Sequence, residues 1–126
     1  MAIRRSTVPV LGISAGAPAD YLAPVVRELA EGVIAHIGID REIADDAVVV
    51  DDDYVGEEYG IPTAEMHEAV SMCARLEGLL LDPVYSGKAM AGLIGHIREG
   101  RYRVSDSAND VIFIHTGGTP ALFAYR

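Results

Sequence analysis

Short apolar runs alternate with amphipathic helical patterns along this chain, and that alternation constrains its fold more than any other feature. Residues 8–13 form a continuous apolar run, which is typical of a strand buried on both faces of a sheet. Apolar residues then recur at helical spacing over residues 18–37, and Gly38 follows as a helix stop. These segments are predicted to form a strand followed by a helix.

The same alternation continues through the rest of the sequence. Further short strands are predicted at residues 47–50, 79–81 and 111–115. Helices are predicted from residue 62 to the stop at Gly78, from about residue 86 to residue 98, and from residue 119 onward. Strands that alternate with helices indicate an α/β fold. We expect one domain over residues 1–126, with three layers, a mostly parallel sheet and flanking helices.

Charge and cysteine usage limit what such a domain binds and where it works. Ten Lys and Arg against 19 Asp and Glu give a formal charge of -9, which argues against nucleic acid and against an anionic membrane surface. Cys73 is the only cysteine, so an intrachain disulfide is excluded and a cytoplasmic protein is expected. The apolar run after Arg4-Arg5 is too short for a signal peptide. A hydrophobic content of 50% suggests a large apolar interface, and hence a homo-oligomer or a partner chain.

An acidic stretch at residues 40–68 raises the question of a metal site. Asp51, Asp52 and Asp53 are consecutive and lack the alternating ligand spacing of a calcium loop. The four histidines are widely separated and show no paired spacing on a helix. We therefore interpret the acidic stretch as a solvated face and expect no metal.

Two strand-to-helix turns carry unusual residues. Tyr85 and Ser86 lie at a predicted helix start, where the positive end of the helix dipole favours an anionic partner or a lowered phenol pKa. Thr116, Gly117 and Gly118 precede the last predicted helix, and the glycines let the backbone approach a ligand closely, with free N–H groups that suit an anion. Because ligands bind parallel sheets at the carboxyl ends of strands, both turns are candidate sites.

Three segments of the sequence resemble a known enzyme family. They are EYGIP at residues 58–62, LDPVYSGKAMAGL at residues 81–93 and FIHTGGTPALFAY at residues 113–125. They are similar to the pyridoxal-phosphate enzymes D-cysteine desulfhydrase and 1-aminocyclopropane-1-carboxylate deaminase, and the similarity runs from about Val8 to the end of the chain. The resemblance implies a tryptophan-synthase-β type of fold, in which two α/β domains hold pyridoxal phosphate between them.

The resemblance also assigns site residues. Tyr85 looks like the active-site tyrosine that acts as acid, base or nucleophile against a small amino-acid substrate, and Tyr59 looks like the second active-site tyrosine. The deaminases typically carry Glu after the first tyrosine, near the pyridine nitrogen, whereas this chain has Ser86. Ser86 and Thr116 resemble the desulfhydrase pattern. The cofactor-binding residues that the resemblance implies are Ser86, Thr116, Gly117 and Gly118.

The family's Schiff-base lysine and its glycine-rich phosphate loop have no counterpart in this sequence. Lys88 is the only lysine, and it matches the family's Gly-Lys segment instead. We therefore expect the C-terminal part of a D-cysteine desulfhydrase-like lyase, which converts D-cysteine to pyruvate, sulfide and ammonia, and which is inactive unless a partner chain supplies the lysine. The alternatives are a deaminase-like enzyme, and a non-catalytic α/β domain that self-associates or binds a small anion.

Overall fold

The computed structural model describes residues 8–102 and 110–125. Its elements are β1 (Leu11–Ile13), α1 (Ala19–His36), β2 (Val49–Asp51), α2 (Ala64–Leu76), α3 (Ser86–Arg98) and a 3-10 helix (Thr119–Phe123). Arg4 and Arg5, which precede the apolar run that is too short for a signal peptide, lie outside the described residues. In the described part of the chain, no helix combines the length and the apolar character needed to cross a membrane.

The two strands pair in parallel, as the alternation of strands and helices predicts. Gly12 lies opposite Val50 in the register, and the N–H of Ser14 extends the ladder by donating to the Asp51 carbonyl at 2.7 Å. Helix α3 packs on β1 and on α2, while α1 contacts β2. Gly92 permits the close approach of α3 to β1, because a Cβ there would lie 2.8 Å from the Ile13 side chain.

The helix starts differ in how their N–H groups are satisfied, whereas the helix ends share a glycine stop. Thr63 caps α2 by accepting the N–H of Met66 at 3.1 Å, whereas a distant residue, Asp52, accepts the N–H of Ala19 at the start of α1. Glycines at positive φ follow the three α-helices, as at Gly38, where φ is 69°. The apolar core lies mainly between the helices and β1, and contains Ile34, Ile43, Met66, Ala69, Cys73, Leu81, Val84 and Ala91.

The strand predictions are only partly confirmed. The first strand is limited to three residues, and the second is shifted slightly to Val49–Asp51. Residues 79–81 and 111–115 are not strands, because neither run has a neighbouring strand to pair with among the described residues. Ile112 and Ile114 remain 81% and 70% exposed. The predicted terminal helix is also wrong in type, since it forms only a five-residue 3-10 helix.

Candidate active-site cleft

The two tyrosines singled out by the sequence meet at an open cleft. The hydroxyl groups of Tyr59 and Tyr85 are hydrogen-bonded, and their ring centroids lie 5.9 Å apart with the planes tilted by 59°. Both side chains are about half exposed, at 54% and 50%. The cleft has a volume of about 330 Å³, and its remaining lining consists of Ser14, Ala15, Gly16, Ala17 and Leu22. Two residues that are far apart in the sequence thus present their phenols to one space.

Asp82 fixes the backbone that carries Tyr85. This carboxylate is fully buried, and its Oδ2 accepts the N–H groups of Val84 and Tyr85, each at 2.8 Å. Its Oδ1 accepts the N–H of Ser86 at 2.8 Å and the Ser86 hydroxyl at 2.6 Å. Although burial raises the pKa of Asp82, the hydrogen bonds from Ser86 and from the backbone bring it below the ordinary value. Asp82 therefore carries a charge at the start of α3, where the helix dipole stabilises it.

Ser86 is buried below the tyrosine pair rather than exposed beside it. Its hydroxyl donates to Asp82 Oδ1, and its oxygen accepts the Asp82 N–H at 2.9 Å. One lone pair of the Ser86 oxygen remains, so this oxygen can accept one further hydrogen bond. The Ser86 side chain is therefore neutral, and its orientation is fixed by Asp82.

The turn at residues 116–118 packs against the side chain of Asp82. Gly118 has φ of 89°, and a Cβ there would lie 2.7 Å from the Asp82 carboxyl carbon. The N–H of Gly117 is not free for an anion, since it donates to His115 Nδ1 at 3.0 Å. Thr116 is exposed. The structure thus joins this turn to the Tyr85 segment through Asp82, and Thr116 is the turn's exposed hydroxyl.

Tyr59 packs against Gly16, and the backbone that follows it is held by a hydrogen bond. A Cβ on Gly16 would lie 2.6 Å from the Tyr59 ring, so only glycine fits opposite this side chain. The hydroxyl of Tyr125 donates to the carbonyl of Gly60, the next residue, at 2.9 Å. The hydrogen bond to Tyr85 is the main cause that raises the pKa of Tyr59, with a smaller contribution from burial. Tyr59 therefore retains its proton at neutral pH.

Among the described residues, Lys88 is the largest fully buried side chain, and it bonds to the loops beside the cleft. Its Nζ donates to the carbonyls of Val55 at 2.6 Å, Ala15 at 3.2 Å and Glu58 at 3.4 Å. Burial lowers the pKa of this amine. Lys88 is not among the residues that line the cleft, and its amine is bonded to these backbone carbonyls.

Residues elsewhere that could suggest chemistry have structural partners. The carboxylates of Asp51, Asp52 and Asp53 lie within 4.8 Å of one another. Asp51 Oδ2, however, lies 2.6 Å from the buried His96 Nε2, and Asp52 caps α1. Cys73 is buried in α2, and burial raises the pKa of its thiol, which opposes formation of the nucleophilic thiolate.

Sequence reasoning identified the tyrosines but missed the residues that hold them. Asp82 is not among the site residues that the sequence predicts, although an Asp just before a helix is a recognisable capping signal. The close approach of Gly16 to Tyr59 and the buried amine of Lys88 join segments far apart in the chain. No local pattern in the sequence reports such contacts.

Comparison with known proteins supports the resemblance. The pattern of the family described as "Pyridoxal-phosphate dependent enzyme" matches residues 2–117. A 1-aminocyclopropane-1-carboxylate deaminase of Burkholderia cenocepacia strain J2315 and a D-cysteine desulfhydrase of Yersinia enterocolitica are each 40% identical over 117 residues, which is 93% of this chain and 34% of each relative.

The fold is similar to that of a solved relative. A crystal structure of an ACC deaminase homologue superposes with a TM-score of 0.76 at 29% identity, and the match covers 94% of this chain and 34% of that chain. This chain therefore spans about a third of the length of the relatives it matches. The predicted α/β class, with a parallel sheet and flanking helices, is confirmed.

Proposed function

The chain belongs to the family of pyridoxal-phosphate dependent enzymes, and from this premise we propose that it supplies one wall of the cofactor site of a D-cysteine desulfhydrase-like lyase. The observation that carries the proposal is the hydrogen-bonded pair of Tyr59 and Tyr85 in an open cleft. A tyrosine packed only for stability usually ties its hydroxyl to backbone. Here both tyrosines are about half exposed, and within the described residues their hydroxyls are hydrogen-bonded to each other.

The residues present fit one wall of such a site but not its covalent anchor. Pyridoxal phosphate, when bound, withdraws electrons from the α-carbon of an amino acid and so makes its bonds easier to break. The chain offers two phenols and the exposed hydroxyl of Thr116 beside that chemistry. Its only lysine, Lys88, is buried against three carbonyls and is not among the residues that line the cleft.

The two phenols have different roles in this proposal. Either hydroxyl can donate in this pair; the proposal makes Tyr59, whose pKa is raised mainly by its hydrogen bond to Tyr85, the donor and the Tyr85 oxygen the acceptor. The hydroxyl proton of Tyr85 is then available to the cleft. Tyr85 is the acid that would protonate a leaving group, and Tyr59 orients it. Their separation in the sequence makes the pair dependent on the fold.

The groups next to Tyr85 favour D-cysteine over 1-aminocyclopropane-1-carboxylate. The nearest carboxylate, Asp82, already accepts three backbone N–H groups and the Ser86 hydroxyl. Because Asp82 and Ser86 are both buried, a pyridine nitrogen on this side would meet the exposed hydroxyl of Thr116 and not a carboxylate, and it would be less strongly protonated. Elimination of a thiolate, which is a good leaving group, tolerates a weaker electron sink. The deaminase reaction is the alternative.

The amine and the rest of the site would come from a partner chain. Apolar side chains at Leu79, Leu80, Ile112, Ile114 and Phe123 are exposed in the described part of the domain. Exposed apolar surface of this extent is typical of an interface. We therefore propose a partner that carries a lysine and the phosphate-binding loop, and that packs against this surface.

Co-expression tests the proposal. The 126-residue chain is produced alone and together with the lysine-bearing N-terminal two thirds of the Yersinia enterocolitica desulfhydrase. We expect no sulfide from D-cysteine with the chain alone, and sulfide with the assembled pair. Tyr85→Phe should abolish this activity, whereas Tyr21→Phe, which alters an exposed phenol on α1 outside the cleft, should not.

Three results would contradict the proposal. If the two parts do not co-purify, the proposed association with a partner chain is refuted. If the assembled pair that carries Tyr85→Phe releases sulfide as fast as the unchanged pair, Tyr85 has no role in the reaction. Faster release of ammonia from 1-aminocyclopropane-1-carboxylate than of sulfide from D-cysteine would replace the desulfhydrase by the deaminase.

Self-association is a second candidate, and the surface of α1 favours it. Val25, Leu29 and Val33 line a groove of about 510 Å³ along this helix, beside Gly32. A second copy packed helix against helix would cover these side chains. Light scattering of the purified chain distinguishes the candidates: a dimer that Leu29→Glu converts to a monomer supports self-association, and a monomer at all concentrations excludes it.

A further inference from the structure

One buried ammonium group joins three segments of the cleft. Lys88 extends from the first turn of α3, three residues after Tyr85. Its Nζ donates to the carbonyl of Ala15, in the loop that lines the cleft, and to the carbonyls of Val55 and Glu58 in the loop that leads into Tyr59. The helix that begins after one tyrosine is therefore bonded directly to the loop that carries the other.

Stability alone does not explain a lysine at this position. Transfer of an ammonium ion into the interior costs several kcal/mol even after relaxation. Within residues 8–102 and 110–125, no carboxylate lies within ion-pair distance of Lys88, so only carbonyl oxygens compensate its charge. A methionine would fill a similar volume without that cost. A side chain that is costly to bury and that donates to several loops at once is suited to fixing their geometry.

The loops bonded to Lys88 need to be fixed accurately. The ring of Tyr59 lies against Gly16, one residue after the Ala15 carbonyl that Lys88 holds. Tyr59 itself follows directly after Glu58, whose carbonyl Lys88 also holds. A displacement of either loop would move the two hydroxyl groups apart. The hydrogen bond between them would then weaken steeply as it lengthens and bends.

We propose that Lys88 is a positioning residue, whose ammonium group holds the 14–17 loop and the 55–58 loop against α3 so that the hydroxyls of Tyr59 and Tyr85 meet. The inference deepens the proposed function and rests on it for the meaning of the tyrosine pair. The contact itself is measurable in this chain without cofactor or substrate. Failure of Lys88 as a positioning residue is therefore distinguishable from failure of the proposed activity.

The test compares Lys88→Met with the unchanged chain. Tyrosine labelled with 13C at Cζ reports each phenol titration, and Tyr59→Phe identifies the signal of Tyr59. In the unchanged chain we expect a Tyr59 pKa above the ordinary value of about 10. In Lys88→Met we expect it to fall toward that value while far-ultraviolet circular dichroism shows the same helix content. Lys88→Arg, which restores several donors, should recover part of the shift.

A matched control separates positioning from general destabilisation. His96 is buried on the same helix and paired with Asp51, away from the cleft lining. His96→Leu should lower the melting temperature and leave the Tyr59 pKa unchanged. An unshifted Tyr59 pKa in folded Lys88→Met would overturn the proposal, as would an equal shift in His96→Leu.

A measurement on the unchanged chain decides the matter if Lys88→Met does not fold. Since Lys88 is the only lysine, 15N-lysine labelling gives a single side-chain signal. A slowly exchanging ammonium signal with nuclear Overhauser contacts to the 55–58 loop supports the proposal. A rapidly exchanging ammonium without such contacts contradicts it.

Discussion

Replacement of Asp82 by alanine should destabilise the domain more than replacement of any other helix-capping carboxylate described here. The change removes the acceptor of the Val84, Tyr85 and Ser86 N–H groups and of the Ser86 hydroxyl. The N–H groups of Val84 and Ser86 are buried, and each buried donor left without a partner costs about 1–3 kcal/mol. The Tyr85 N–H is partly buried and can regain a bond to water. We therefore expect a loss of about 4 kcal/mol in the free energy of unfolding.

Urea unfolding at pH 7, followed by circular dichroism, measures this loss. Asp52→Ala is the matched control, because Asp52 also accepts an N–H at a helix start but accepts only that of Ala19. Its loss should be about 1 kcal/mol, as for a single capping bond. Equal losses in the two variants would refute the argument that the Asp82 bonds hold the start of α3.

Three further predictions concern pH, packing and reactivity. The pKa of Asp82 is lowered in the folded chain, so its contribution to stability is present above the ordinary Asp pKa of about 3.9 and disappears as the pH falls through the lower folded pKa. Urea midpoints measured from pH 7 to pH 2 should show this loss. The Asp82→Asn variant should not show it. Gly87→Ala should destabilise by about 2 kcal/mol, because its Cβ would lie 2.5 Å from the Asp82 carbonyl oxygen, whereas Gly32→Ala, which faces open space in α1, should stabilise by about 1 kcal/mol in the same urea assay. The Cys73 thiol, whose pKa is raised by burial, should react with a disulfide reagent only after unfolding; rapid reaction in the native chain would contradict its burial.

The helices were predictable because their signals are local. Apolar spacing, the Thr63 cap and glycine stops such as Gly78 each lie within a few residues of the element they define. The prediction of α3 matches its bounds in the structure, Ser86–Arg98. A strand, by contrast, exists only if another strand lies beside it. The runs at 79–81 and 111–115 contain strand-forming residues but have no such neighbour in the described part of the chain.

The candidate site likewise contains residues that the sequence identifies and contacts that only the tertiary structure reveals. Tyr59 and Tyr85 were identified through resemblance to whole segments, and in the structure their hydroxyls are hydrogen-bonded. The groups that hold them act across the fold: Lys88 bonds to residues 30 or more positions away, and Gly16 packs against a ring 43 positions further along. Such contacts depend on tertiary structure, and no spacing rule predicts them.

The unpaired runs and the incomplete site have a common explanation in the proposed partner. A partner that packs on residues 79–81 and 111–115 would cover the exposed Leu80, Ile112 and Ile114, and would do so beside the Asp82 segment and the 116–118 turn that follow those runs. The exposed apolar runs therefore lie next to the segment that carries Tyr85, so one associating chain could both cover the apolar surface and supply the lysine. In co-expression, the loss of exposed apolar surface and the gain of sulfide release should accordingly occur together, and Ile112→Glu should prevent both.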